Sequence, residues 1–170
     1  MSNIIFCQQI VKSKAVITIN RILVPMDFSH SARCSLDIAV DLAEKFEAQI
    51  YLLHVFEMPF DYPLLLNIEM DESELYTAIQ AEMDEALNDL VRQFSRPGVP
   101  VEALFIENGV PFVEIIRMAK ELAIDLIVMS AYSRMGISNL LIGSVTEKVV
   151  RKAPCPVLTI RHKGMRFEMP

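Results

Sequence analysis

A chain of 170 residues, 52% of them hydrophobic, is long enough for one packed core and too short for two of comfortable size. Its net charge of -6 supplies no basic field for a polyanion, which excludes nucleic acid as an expected partner. A mean hydropathy of +0.34 suits a sheet covered on both faces, and the most apolar N-terminal run is interrupted by Gln8, Gln9, Lys12 and Lys14, so neither a membrane span nor a secretory leader is expected.

Residues 1–20 precede the first regular unit and read as an N-terminal extension, an added strand or an unstructured arm, with "AVITI" carrying β-branched alternation. "RILVPMDFS" then reads as a strand from Ile22 that ends in a turn, with Asp27 and Ser29 as turn and capping residues. From Ser31 the apolar positions Leu36, Ala39, Val40, Ala43 and Phe46 fall on one helical face, and Asp41, Glu44 and Lys45 fall off it. "AQIYLLHVFE" is a near-continuous apolar run of strand length. A loop with Pro59 and Pro63 leads to Asp71 and Glu74, a helix-start signal, followed by Leu75, Ile79, Met83, Leu87, Leu90, Val91 and Phe94 as the inward face. "VPVEALFIENG" is the third strand, and Gly109 and Pro111 introduce a helix whose stripe is Ile115, Ile116, Ala119 and Leu122. "DLIVMS" is the fourth strand, Val145 to Lys152 the fourth helix and "CPVLTI" the fifth strand. Residues 163–170 read as a tail, leaving 21–162 as one domain.

Strands alternating with helices predict an α/β fold, a single doubly wound parallel sheet of five strands with helices on both faces. To cover both faces the chain must reverse its direction of travel once, and ligands of such sheets lie beyond the carboxyl ends of the strands at that reversal. With the order 3-2-1-4-5 those are strands one and four. The loops there are "PMDFS" and "SAYSRMGISNLLIGSVT".

Those two loops, together with "LLHVFE" and the run from Met129 through "APCPVLTIR", resemble the universal stress protein family over about residues 20 to 162. The resemblance implies a Rossmann-like, adenine nucleotide alpha hydrolase-like fold and an adenine nucleotide, ATP or AMP, with or without Mg2+. It places adenine and ribose against Pro25, Met26, Asp27, Val55 and Met129. It places the phosphates against Ser130, Tyr132 and Ser133 and on Gly143, Ser144, Val145 and Thr146. ATP-binding members carry Gly, two residues, Gly, nine residues, Gly and then Ser or Thr; here the first two glycines are Ser130 and Ser133, whereas Gly143 and Ser144 match and Gly136 matches a further glycine. Glycine in such a loop permits positive φ and lets a phosphate approach bare backbone. A serine forced into a left-handed backbone costs about 1 to 2 kcal/mol, a roughly five- to thirtyfold loss if binding bears it all. The residues themselves agree with an anion seat, because a helix starting at Gly143 and Ser144 presents unpaired amides, and the hydroxyls of Ser144 and Thr146 add donors.

The plainer readings stand beside these. Asp27 also suits helix capping, His54 reads as a core histidine with a backbone partner, Tyr132 as a loop tyrosine and Arg134 as a solvated arginine. Cys7, Cys34 and Cys155 form no metal spacing and read as buried thiols in a reducing cytoplasm. No GxxxxGK, HxGH or SGGxDS signature is present, and Glu107 is the only acid at the end of strand three, which argues against a phosphate-accepting receiver domain. The expected function is therefore a cytoplasmic nucleotide-binding stress or signalling module with at most slow ATP hydrolysis; the alternative is an interaction module of the same fold with an empty crevice. The fifth strand is apolar at Val157, Leu158, Thr159 and Ile160, with Pro154 and Pro156 ahead of it, and this predicts a homodimer through antiparallel edge strands.

Overall fold

The computed structural model describes residues 18–57, 72–131 and 142–161. Within them the elements run β1 (Arg21–Pro25), α1 (His30–Phe46), β2 (Gln49–Val55), α2 (Glu72–Phe94), β3 (Val101–Ile106), α3 (Pro111–Glu121), β4 (Leu126–Ser130), α4 (Ser144–Lys152) and β5 (Val157–Ile160). The sheet order is β3-β2-β1-β4-β5 and every strand pairing is parallel. The expected order is thus the observed one, with the reversal between β1 and β4.

Alternate residues of each central strand feed two separate cores. Ile22, Val24, Ile50, Leu52 and Val128 pack with Leu36, Val40, Leu87 and Leu90, the side covered by α1 and α2. Leu23, Leu53, Ile127 and Met129 pack with Ile115, Ala119 and Val149, the side covered by α3 and α4. Ile22, Leu23 and Val24 have no exposed surface at all, which is why these strands read as unbroken apolar runs rather than as alternating ones.

Local chemistry sets the ends of the elements. Ser29 caps α1, its hydroxyl accepting from the amide of Ala32 at 3.1 Å. Pro111 occupies the first turn of α3, where its missing N–H has no partner to lose. Prolines 154 and 156 hold β5 to Val157–Ile160, shorter than the six-residue run in the sequence. One expectation fails in α1: Phe46, assigned to the inward face, is 39% exposed. It lies in the last turn, beyond Ala43, the last buried residue of the helix, and Glu47 after it adopts a left-handed cap at φ 54.

The reversal itself has little ladder. β1 and β4 share the register pairs Ile22 with Leu126 and Leu23 with Ile127. Asp125 extends this seam at its lower end, its Oδ2 accepting from the amides of Asn20 at 2.8 Å and Arg21 at 3.0 Å while its own amide donates to Arg21 O at 3.0 Å. The Arg21 guanidinium closes the loop by donating to Leu122 O at 2.8 Å.

Two substitutions test this account. Asp125→Ala removes an acceptor from two backbone amides at a partly solvated site and is expected to lower stability by about 1–2 kcal/mol, read as a urea midpoint shift at unchanged m. Gly109 is buried against the next loop, and a Cβ there would meet Glu114 Cγ at 2.6 Å and Val55 Cγ1 at 2.9 Å. Gly109→Ala is expected to cost about 1–3 kcal/mol by overpacking, and an unchanged melting temperature would contradict that.

Candidate functional site

A cleft of about 300 Å³ opens beyond the carboxyl ends of the strands. Its lining is drawn from Pro25, Met26 and Asp27 after β1, from Leu53, His54 and Val55 of β2, from Pro111 and Ile115 of α3, from Met129 and Ser130 of β4 and from Val145 and Thr146 of α4. The topology explains this convergence: strands leave the sheet here, and helices α3 and α4 begin here, so the lining combines strand ends with helix starts. Most of the wall is apolar, with Asp27, His54, Ser130 and Thr146 as its polar side chains.

Of the residues expected at a nucleotide site, Pro25, Met26, Asp27, Val55, Met129, Ser130, Val145 and Thr146 line this one cleft. Gly143 and Ser144 stand at its α4 border, as the N-cap and the first residue of the helix. Tyr132 and Ser133 lie outside the described residues, as do Arg134, Gly136 and Cys7. Leu53, His54, Pro111 and Ile115 line the cleft without having been expected there. For Pro111 and Ile115 the signal was available: positions four apart at a helix start share a face, and this helix begins at the ligand-bearing end of the sheet.

The start of α4 is anchored on β4. The amide of Gly143 donates to Ala131 O at 2.7 Å, and the Thr146 hydroxyl donates to Ser130 O at 2.9 Å. That hydroxyl was expected to face an anion; its proton is instead spent on the strand, so what Thr146 offers is its backbone amide. No side chain caps the helix, and Gly143 holds an extended backbone at φ -71, ψ 150. The amides of Ser144, Val145 and Thr146 therefore head the helix dipole without intrahelical acceptors.

Ser130 is the last residue of β4, paired with Ile160 of β5 and 9% exposed. A strand backbone has negative φ, and Ser130 is not among the non-glycine residues with positive φ. The conformational penalty feared for serine at this position does not arise; what serine adds is its side chain, at the cleft wall.

On the β1 side, Asp27 lines the cleft while its Oδ1 accepts from the amide of Ser29 at 3.0 Å, a turn-forming bond. Phe28 follows with φ 61, an unusual left-handed backbone for an aromatic residue. His54 is a buried histidine with a backbone partner, as expected: its Nδ1 lies 2.7 Å from Met26 O. A carbonyl can only accept, so Nδ1 carries the proton.

Among the described residues no group of three or more His, Cys, Asp or Glu could hold a metal ion. Asp27, the one carboxylate of the lining among the described residues, makes a poor cage by itself, and a magnesium ion here would have to draw its other ligands from a bound phosphate and water. Burial, and next the charge of Asp125, push the Cys155 thiol up from its ordinary value, which keeps it protonated and consistent with a packing role. No helix among the described residues is long and apolar enough to cross a membrane.

Comparison with known proteins agrees with this geometry. The model of the universal stress protein family matches residues 18–161. The universal stress protein YxiE of Bacillus subtilis is 32% identical over 147 residues, covering 84% of this chain and 99% of its own. The universal stress protein MJ0531 of Methanocaldococcus jannaschii is 31% identical over 142 residues, covering 83% and 81% respectively. Among solved structures, that of MJ0577 superposes with a TM-score of 0.74 at 26% identity, covering 87% of this chain and 99% of that one. Two further structures, a universal stress protein in complex with cAMP and one from Archaeoglobus fulgidus in complex with dAMP, each superpose with a TM-score of 0.59, at 23% and 20% identity. On a doubly wound fold with its cleft at the β1–β4 reversal, and with a family match spanning all of the described residues, the chain belongs to the universal stress protein family.

Proposed function

We propose that the cleft binds an adenine nucleotide and that the protein acts as a stress-response or signalling module through occupancy rather than rapid turnover. The observation that carries this reading is the pairing of opposites across one crevice: the amide-presenting start of α4 on one rim and the Asp27 carboxylate on the other, with apolar wall between them. The helix start suits phosphate and the carboxylate suits ribose hydroxyls, whereas the side chains of Met26, Val55 and Met129 provide flat apolar contact for a purine. Related structures holding cAMP and dAMP support the adenine part of the reading. The extended backbone at Ser130 supports it too, since the first missing glycine of the loop then exacts no strain.

Asp27 does not serve the phosphates in this arrangement, because two anions would repel without a cation between them. Magnesium, when present, would arrive as the nucleotide's own counter-ion. The lining contains no lysine or arginine among the described residues, which fits retention of a nucleotide better than stabilisation of a phosphoryl-transfer transition state.

A second proposal concerns assembly. β5 is an outer strand of the sheet, and Leu158 on it is 37% exposed. A short apolar edge without inward charges favours pairing with an identical strand, giving a twofold dimer through Val157, Leu158, Thr159 and Ile160.

Calorimetric titration of the purified protein with AMP and ATP is expected to show saturable 1:1 binding, and a melting temperature that rises with ligand. Asp27→Asn should weaken AMP about tenfold while leaving the fold intact, since one charge-assisted contact to ribose is lost. The absence of any heat or melting shift at millimolar nucleotide, with and without magnesium, would end this reading. For assembly, light scattering should give twice the chain mass of 19.3 kDa, and Leu158→Lys should return the monomer with its far-ultraviolet spectrum unchanged.

A further inference from the structure

We propose that His54, in the inner wall of the cleft, is a positioning residue for the nucleotide site, holding the β1–α1 turn so that Asp27 is presented to the ligand. The inference rests on the nucleotide reading above and names what sets its ribose contact.

The geometry starts with strand alternation. On β2, Ile50 and Leu52 belong to the core under α1 and α2, so His54, two residues on, directs its ring to that same side. Met26, just past β1, is buried in that core as well, and its amide still donates to Leu53 O at 2.8 Å, continuing the parallel ladder. The Met26 carbonyl is the first to leave the ladder, and it is the one that His54 Nδ1 reaches at 2.7 Å. Asp27 follows directly, and it lines the cleft together with Met26 and His54. Phe28 swings back with φ 61 and sets its ring against the imidazole, centroids 4.8 Å apart and planes at 54°. Phe105 of β3 stacks on the imidazole with centroids 6.0 Å apart and planes at 17°.

His54 thus grips the residue before Asp27 by a hydrogen bond and the residue after it by ring contact. A left-handed phenylalanine persists only where its surroundings over-determine it, and these two contacts do so. A plain core histidine would need a partner for its proton but would have no reason to clamp both neighbours of a cleft carboxylate. The ring is 9% exposed and wedged between two aromatic rings, so its orientation is fixed by packing as well as by the bond.

The test uses the full-length protein and compares AMP with its 2′,3′-dideoxy analogue by calorimetry. The affinity ratio of the two ligands reports the ribose contact, which a merely structural role for His54 would not move. His54→Asn places an amide nitrogen close to the position of Nδ1 and is expected to bind AMP within about threefold of the parent. His54→Phe keeps the ring and loses the donor; AMP affinity should fall about tenfold and the ligand ratio should collapse toward one. Adding Asp27→Asn to His54→Phe should then cost little more, because both changes remove the same contact. If His54→Phe does not fold, His54→Gln takes its place, since its amide reaches the position of Nε2 and misses the Met26 carbonyl. A folded donor-less variant that keeps the parent's ligand ratio, or additive losses in the double variant, would overturn the inference. Failure of the parent to bind AMP at all would instead defeat the nucleotide reading on which it stands.

Discussion

The parallel pairing of β1 with β4 is the constraint on which this molecule turns. Two register pairs and the Asp125 clamp join the first half of the chain to the second, and the reversal they create puts α1 and α2 on one side of the sheet and α3 and α4 on the other. Right-handed crossovers then leave no freedom in which helix covers which face. The cleft is the geometric residue of that reversal: the connections after β1 and β4 leave for opposite faces of the sheet and a crevice opens between them.

Within the cleft, backbone and side chains divide the work. The α4 border offers amides whose direction is dictated by the helix, so its chemistry depends little on which residues carry those amides. The Asp27 border depends wholly on one side chain and on the turn that aims it. Sequence variation is therefore better tolerated on the first border than on the second. Serine in place of glycine at position 130 illustrates the point, because the strand backbone there accepts any side chain that leaves the cleft open.

Much of this was legible in the sequence, for physical reasons. Buried parallel strands must be apolar on both faces, so "RILV", "IYLLHV" and "LIVMS" announce themselves, and alternation with amphipathic helices leaves few topologies. The position of the crevice followed from the reversal. Other features depend on three-dimensional neighbours and left no trace in one dimension. Phe46 satisfies the helical period yet is exposed in the last turn, and periodicity carries no information about where a covering surface stops. The Thr146 hydroxyl looked available to an anion because its acceptor, Ser130 O, is sixteen residues away in the chain. The left-handed Phe28 was equally hidden, since its local preference argues against that backbone and its ring contact with His54 forms only in three dimensions. Pro111 and Ile115 are a different case: read correctly as a helix start and its inner face, they carried in their spacing and position the signal for the cleft wall as well.

The bond from Thr146 to Ser130 reaches past local architecture. It ties the first turn of α4 to a strand that is itself buried along its whole length, so the wall where Ser130 and Thr146 meet is positioned by the sheet itself. A guest meeting such a wall forfeits little entropy to ordering its host, and discrimination between guests falls to how long each stays rather than how fast it is admitted.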